Sequence, residues 1–117
     1  MAQAQYQNIL VDTAEGGVGI VTLNRPAVLN ALSFALRCEL DEAISAMENN
    51  SDIRAVVITG AGEKSFSAGA AIHDLAKLTA EEAASRKDRS AEFIWHLANL
   101  RIPTIGALNG LAYGGGA

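Results

Sequence analysis

Cysteine, proline and aromatic residues are scarce in this chain of 117 residues, which has one Cys, two Pro and aromatic side chains at 5% of its positions. The single cysteine, Cys38, excludes an internal disulfide framework, and its place in a helical pattern predicts a buried apolar filler. Basic residues are also outnumbered by acidic ones, since the chain has 9 Lys and Arg and 13 Asp and Glu, which gives a net charge of −4. With no local basic cluster, general nucleic-acid binding is not expected, and local groups must hold any anionic ligand.

Long apolar runs are absent as well. No run approaches the roughly 20 residues of a membrane-spanning helix, and residues 1–8 have neither the basic start nor the apolar core of a secretory signal. We therefore expect a cytoplasmic protein with no membrane partner. The two histidines, His73 and His96, show no metal-ligand spacing with Cys38, so we expect no metal, and His73 is interpreted as a surface or capping residue. The length allows one domain at most, over residues 1–117.

Alternating apolar segments and turns in the first half predict an α/β fold. Residues 9–12 and 18–23, separated by Gly16-Gly17, are typical of a β-hairpin. Ser33 is a candidate N-cap for a helix that follows. Its buried stripe is predicted to contain Leu36, Leu40, Ala43, Ile44 and Met47, and its solvated face Glu39, Asp41 and Glu42. The next strand, over 55–59, would then lie parallel to the second strand of the hairpin.

The second half continues the alternation of strands and helices. A short helix is expected over 70–75, and Thr79 with Glu82 forms a capping box for a longer helix that reaches about Leu100. The apolar side of the longer helix is predicted to carry Phe93, Ile94, Leu97 and Leu100, and its exposed side Lys87, Asp88 and Arg89. Pro103 ends this region before a strand over 104–108.

The loop after the strand at 55–59 has almost no side chains. In Ser67-Ala68-Gly69-Ala70-Ala71 the backbone must make the contacts, and N–H groups at the start of a helix favour an anion. A P-loop is excluded because Glu63 separates Gly62 from Lys64, and a nucleophile elbow is excluded because its first glycine is missing. These residues alone leave two interpretations open, an oxyanion or phosphate site and a tight strand-to-helix connection.

A second glycine-rich segment, residues 109–116, follows the strand at 104–108. Two such backbone segments can face one oxygen, although a flexible tail remains the alternative for Gly114 to Gly116. Upstream motifs complete a set that occurs in the order Leu23-Asn24-Arg25-Pro26, Asn30-Ala31-Leu32, Phe66-Ser67-Ala68-Gly69-Ala70 and Asn109-Gly110-Leu111-Ala112-Tyr113-Gly114-Gly115-Gly116. With this set the chain resembles the crotonase superfamily, the enoyl-CoA hydratase/isomerase proteins, from about Gly17 onward.

The resemblance implies a crotonase-like spiral of strand-strand-helix (ββα) units, present as an incomplete N-terminal half. It implies an acyl-CoA thioester as substrate, with coenzyme A as part of that substrate and no separate cofactor. The backbone N–H groups of Ala70 and Gly115 would form an oxyanion hole for the enolate, and losing one such donor typically costs about 3 to 4 kcal/mol of barrier. The coenzyme A contacts implied for this chain are Arg25, Ala27, Val28, Leu29, Ala31, Ala68 (through its carbonyl), Ala71 and Ile72. For Arg25, a contact with CoA phosphates and a structural hydrogen bond across its loop both stay open.

Two departures from the family pattern limit what the resemblance implies. Ala71 stands where the family often has Asp, and the two glutamates that the family's hydratases use as general acid and base are expected beyond residue 117.

The family resemblance also implies a homotrimer or a dimer of trimers. One alternative is a non-catalytic acyl-CoA-binding or oligomerising protein. The other is a truncated product, inactive alone, that does not fold stably by itself because half a spiral leaves the apolar faces of its helices uncovered. Hydratase, isomerase and other activities of the family are not distinguished by these residues, nor is the acyl chain.

Overall fold

The computed structural model describes residues 6–71 and 78–117. Its elements follow one another as strand-strand-helix units, which confirms the predicted α/β spiral. The strands are β1 (Ile9–Ala14), β2 (Val18–Leu23), β3 (Ala55–Gly60), β4 (Ser65–Ser67), β5 (Thr104–Ala107) and β6 (Leu111–Ala112), and the α-helices are α1 (Phe34–Glu48) and α2 (Ala80–Ala98). Short 3-10 turns occupy Pro26–Val28 and Gly114–Gly116.

Four of the strands form one sheet in the order β1-β2-β3-β5. Strands β1 and β2 form the predicted antiparallel hairpin, with Ile9 opposite Leu23. Strand β3 lies parallel to β2, and β5 lies parallel to β3. The parallel crossover predicted between β2 and β3 is therefore confirmed. Burial alternates along β2 and β3, as a half-buried sheet requires.

Helix α1 covers one face of this sheet. The Oγ of Ser33 accepts a hydrogen bond from the N–H of Leu36 at 3.1 Å, so the predicted N-cap is present. The whole predicted stripe, Leu36, Leu40, Ala43, Ile44 and Met47, is buried. The prediction for Cys38 is wrong, because this residue is exposed. It lies two positions from Leu36 and from Leu40, about 200° around the helix from both.

The acidic face of α1 is only partly solvated. Glu42 is exposed as predicted, but Glu39 accepts a hydrogen bond from the N–H of Asn8 at 3.0 Å. Asp41 contacts a ring nitrogen of His96 at 2.9 Å. For these two carboxylates the prediction of a purely solvated face is wrong, since the N-terminal segment and α2 supply partners from distant parts of the sequence.

Helix α2 begins at the predicted capping box. The Oγ1 of Thr79 accepts from the N–H of Glu82 at 3.2 Å and donates to its carboxylate at 3.1 Å. The helix ends at Ala98, two residues before the predicted end. As predicted, Phe93, Leu97 and Leu100 pack on the core, and Lys87, Asp88 and Arg89 are exposed. Ile94 is 54% exposed, so its predicted place on the packed side is wrong.

A second, two-stranded sheet was not predicted. Strands β4 and β6 pair in parallel, with Ser65 opposite Leu111, and each leads directly into one of the two segments of small residues. After β4, Ala70 forms a β-bridge with Leu32 and does not begin the predicted helix. Ala71 is not helical either, and residues 72–75 of that predicted helix lie outside the described residues. Within the described ranges, neither helix combines the length and apolarity needed to cross a membrane.

Candidate active site

The segment after β4 and the turn after β6 pack backbone against backbone. Gly69 has a φ of +88°, and a Cβ on it would lie 2.8 Å from the carbonyl oxygen of Tyr113 and 3.3 Å from the amide nitrogen of Gly115. A Cβ on Gly116 would collide with the carbonyl oxygen of Ser67. Larger residues at these two positions would push the segments apart, so glycine is what allows them to meet.

This packing brings together the two segments that carry the predicted oxyanion donors. Ala70 follows Gly69 directly, and Gly115 lies in the turn against which Gly69 packs. Both residues are exposed. Within the described part of the chain, neither the N–H of Ala70 nor that of Gly115 donates a backbone hydrogen bond. The packing of Gly69 against this turn therefore brings Ala70 and Gly115, which are 45 residues apart in the sequence, into neighbouring segments.

The buried side chain of Asn30 connects the loop after β2 to this site. Asn30 has no exposed surface and a positive φ of 55°, a conformation that Asn tolerates better than most residues. Its Oδ1 accepts from the N–H of Arg25 at 2.8 Å. Its Nδ2 donates to the carbonyl oxygens of Ala61 at 3.0 Å and Ser65 at 2.9 Å. One side chain thus holds the loop after β2 against both ends of the β3–β4 turn.

Two buried serines of β4 extend the same network. The Ser67 hydroxyl donates to the carbonyl oxygen of Asn30 at 2.8 Å and accepts from the N–H of Gly69 at 3.2 Å. The Ser65 Oγ lies 2.9 Å from the carbonyl oxygen of Leu29 and 3.2 Å from that of Leu111, which are alternative acceptors for its one proton. These hydroxyls position the loop that carries Ala70.

Asn109 performs the equivalent task at the second segment. Its Oδ1 accepts from the N–H of Gly60 at 3.0 Å, and its Nδ2 donates to the carbonyl oxygens of Gly62 at 2.9 Å and Ser65 at 3.0 Å. Sequence reasoning assigned no positioning role to Ser65, Ser67 or Asn109. Short polar side chains among glycines were the available signal, because they can pair with backbone groups of irregular segments.

The predicted coenzyme A loop lies on the surface beside this network. Val28 and Leu29 are 47% and 42% exposed, and Ala27 is exposed in the 3-10 turn. Nη1 of Arg25 donates to the carbonyl oxygen of Ala31 at 3.0 Å, which is the structural hydrogen bond left open by the sequence. The Ala68 N–H donates to the carbonyl oxygen of Leu29 at 3.0 Å, so the loop reaches the segment that carries Ala70.

Beside the loop after β2 is a cleft with a volume of about 340 Å³. Its lining comes from the loop after β2 and from the β3–β4 turn, and it consists of Pro26, Leu29, Asn30, Ala61, Gly62, Glu63, Lys64 and Ser65. Lys64, which sequence reasoning considered only in order to exclude a P-loop, contributes a cation to this cleft. Ile72, the last of the predicted contact residues, lies outside the described residues.

A second cavity, of about 350 Å³, opens at Ala70 and Ala71 and lies between α1 and α2. Arg37 of α1 lines it, and a Cβ on Gly115 would lie 3.7 Å from a terminal nitrogen of this guanidinium. Burial lowers the pKa of Arg37. Among the described residues that line this cavity, none is acidic. Residues 6–71 and 78–117 also contain no group of three or more His, Cys, Asp and Glu arranged to hold a metal ion.

Comparison with known proteins places this arrangement in a family. The sequence model for "Enoyl-CoA hydratase/isomerase" matches residues 13–117. The chain is 40% identical over 112 residues to a short-chain-enoyl-CoA hydratase of Clostridium acetobutylicum, covering 96% of this chain and 42% of that protein. It is 45% identical over 114 residues to a probable mitochondrial enoyl-CoA hydratase of Dictyostelium discoideum, covering 95% of this chain and 40% of that protein.

A solved structure agrees with these relatives. The crystal structure of an enoyl-CoA hydratase from Bacillus anthracis superposes with a TM-score of 0.89 at 37% identity, covering 94% of this chain and 43% of that one. The chain thus spans less than half the length of the relatives that it matches. The motifs predicted to mark the crotonase superfamily, the ββα spiral and the match over 13–117 agree, and the chain belongs to the enoyl-CoA hydratase/isomerase family.

Proposed function

We propose that the protein carrying this chain is an enoyl-CoA hydratase or isomerase that acts on an acyl-CoA thioester. The observation that carries the proposal is the contact between Gly69 and the backbone of Tyr113 and Gly115, which sets two donor-bearing segments side by side. Negative charge develops on the thioester oxygen as the enolate forms. Fixed backbone donors stabilise such charge without having to reorganise during the reaction. The N–H groups of Ala70 and Gly115 are the proposed donors.

The proposal assigns the coenzyme A part of the substrate to the loop after β2 and to the cleft beside it. The exposed backbone of Ala27, Val28 and Leu29, with the carbonyl of Ala68, would contact the nucleotide. Lys64 would meet phosphate charge. The guanidinium of Arg25 already donates to Ala31, so we assign it the role of holding the loop in shape.

Replacement of Ala70 by proline tests the oxyanion role. Because proline lacks the N–H, we expect turnover of crotonyl-CoA by the protein as isolated from its source to fall by about a hundredfold or more. Ala70→Gly keeps the amide and serves as the matched control, with turnover within a few-fold of the original. Circular dichroism and a thermal melt check that the proline variant is folded. A folded Ala70→Pro protein with undiminished turnover would overturn the assignment.

The second candidate, acyl-CoA binding without turnover, is favoured by one observation. Among the described residues, the lining of the cavity at Ala70 holds no carboxylate that could act as general acid or base. We propose that the 117 residues alone bind coenzyme A thioesters without hydrating them. Calorimetry and an activity assay on the same sample would separate the two functions.

Assembly and location belong to the same proposal. A homotrimer or a dimer of trimers in the cytoplasm would be consistent with the family resemblance. Light scattering after size-exclusion chromatography would measure the assembly, and cell fractionation would measure the location.

A further inference from the structure

The loop after β2 holds the peptide that carries the first proposed donor. The carbonyl oxygen of Gly69 accepts a hydrogen bond from the N–H of Leu32 at 2.7 Å, and Ala70 forms a β-bridge with Leu32. The carbonyl of Gly69 and the N–H of Ala70 belong to one trans peptide unit, in which the two groups point in opposite directions. The N–H of Ala70 is therefore directed away from the loop after β2.

The hydroxyl of Ser67 holds the preceding peptide of the same segment. Its Oγ accepts from the N–H of Gly69 at 3.2 Å, and its proton goes to the carbonyl oxygen of Asn30, in the loop after β2, at 2.8 Å. Gly69 has a φ of +88°, and a glycine backbone rotates more freely than that of any other residue. The bonds from Leu32 and to Ser67 therefore fix the peptide units on both sides of a residue that does not fix them itself.

The backbone of Ser67 contacts the second donor segment as well. Its carbonyl oxygen accepts from the N–H of Tyr113 at 3.0 Å, two residues before Gly115. Gly116 packs so closely that a Cβ added to it would lie 2.8 Å from a side-chain atom of Ser67, its Cβ. Ser67 has no exposed surface. One buried residue thus contacts the loop after β2 and both segments that carry the proposed donors.

We propose that Ser67 is a positioning residue for enolate formation, whose hydroxyl ties the loop after β2 to the peptide that presents Ala70. The inference rests on the proposed function and adds that the donor is aligned from the loop assigned to coenzyme A. Without the hydroxyl, the N–H of Gly69 and the carbonyl of Asn30 lose a buried partner, and each gains by turning toward another. A small misplacement of the donor then weakens the stabilisation of the enolate, which depends on preset geometry.

The test follows an enolate directly. Acetoacetyl-CoA loses a proton between its two carbonyl groups to give a stable enolate that absorbs in the near ultraviolet. The ratio of enolate to neutral thioester is measured at a fixed pH on the protein as isolated from its source, so that no turnover is required. We expect Ser67→Ala to lower this ratio and the kcat for crotonyl-CoA by about tenfold each, and to change KM by less than about twofold. Ser67→Cys keeps a weaker donor and acceptor and should give an intermediate ratio.

Ser33→Ala is the matched control. Ser33 is also buried, and its hydroxyl caps α1, so its loss should lower the melting temperature and leave the enolate ratio and kcat unchanged. If Ser67→Ala likewise lowers only the melting temperature, the inference is wrong, and a lowered ratio in Ala70→Pro would show that the proposed function stands. If the unsubstituted protein gives no higher ratio than free acetoacetyl-CoA, both fail. Should Ser67→Ala not fold, Ser67→Cys decides, and an unchanged ratio in that variant overturns the inference.

Discussion

At the scale of single residues, amide and hydroxyl side chains hold the candidate site in shape. Asn30, Ser65, Ser67 and Asn109 pair with backbone groups of the loops and of the strand ends beside them, and all but Asn109 are buried. A backbone group that is buried without such a partner costs free energy. In the described part of the chain, no buried side-chain nitrogen or oxygen lacks a partner. The conformation of the loops is therefore held by a few short polar side chains.

Replacing Asn30 by alanine should show this dependence. The change removes three hydrogen bonds and places alanine at a positive φ of 55°, so we expect the free energy of unfolding to fall by about 2 to 4 kcal/mol. Urea denaturation measures the difference. Asn49→Ala, at an exposed position with one local side-chain bond to Ser45, should cost no more than about 1 kcal/mol. Equal effects of the two substitutions would contradict the central role of Asn30.

At the scale of elements, His96 joins α2 to α1. Its Nδ1 lies 2.9 Å from Asp41 and its Nε2 lies 3.2 Å from Glu48. The hydrogen bond to Asp41, followed by that to Glu48, raises the pKa of His96 above 6.5. The N–H of Arg101, followed by the His96 side chain, lowers the pKa of Glu48 below 4.5. The contact between the helices is therefore strongest when the imidazole is charged and Glu48 is ionised.

This arrangement predicts a pH-dependent stability. Because the pKa of His96 is raised on folding, its contribution is complete below pH 6.5 and is lost as pH rises through the folded-state pKa. The contribution of Glu48 is complete above pH 4.5 and is lost as pH falls through its lowered value. The melting temperature of His96→Ala should therefore differ most from that of the unsubstituted chain between pH 4.5 and 6.5.

Thermal melts across the pH range measure this difference. Asp88→Ala, at an exposed position of α2, provides the control and should show no such maximum. A difference between His96→Ala and the unsubstituted chain that grows toward alkaline pH would contradict the ion-pair explanation.

At the scale of the whole molecule, the described structure exposes several large apolar side chains. Strand β5 is exposed along its length, and α2 has no buried residue. The large apolar side chains that are more than half exposed are Leu10, Ile94, Trp95, Ile105, Leu108, Leu111 and Tyr113. Where exposed apolar side chains lie together, they mark an interaction site or an aggregation liability.

We expect the 117-residue chain by itself to bind a hydrophobic dye and to self-associate. Trp95→Ser combined with Leu108→Ser should reduce dye fluorescence about twofold or more, since these two side chains are 70% and 66% exposed. Ala91→Ser, also exposed on α2, should leave it unchanged. A monodisperse monomer in light scattering, without dye binding, would contradict the expected self-association through these apolar side chains.

Local patterns in the sequence were sufficient for most of the elements. The caps at Ser33 and Thr79, the stripe from Leu36 to Met47 and the strands of the main sheet all follow from periodicity and turn residues within a few positions. The motifs also indicated the family. Errors occurred where burial depends on distant partners, as at Glu39 and Ile94, because a helical period does not say how wide the covered face is. The error at Cys38 was local, since its position around the helix already places it away from the buried stripe.

Only the tertiary structure decided what meets at the site. The hydrogen bond from Asn30 to Ser65 joins residues 35 positions apart, and the contact of His96 with Asp41 spans 55. The β4–β6 sheet, the approach of Gly69 to Gly115 and the cavity at Ala70 likewise combine segments from different units of the spiral. The sequence by itself determined the elements, the caps and the glycine-rich segments, since these depend on neighbours along the chain. The relative position of those segments depends on how successive ββα units stack, which no local pattern encodes.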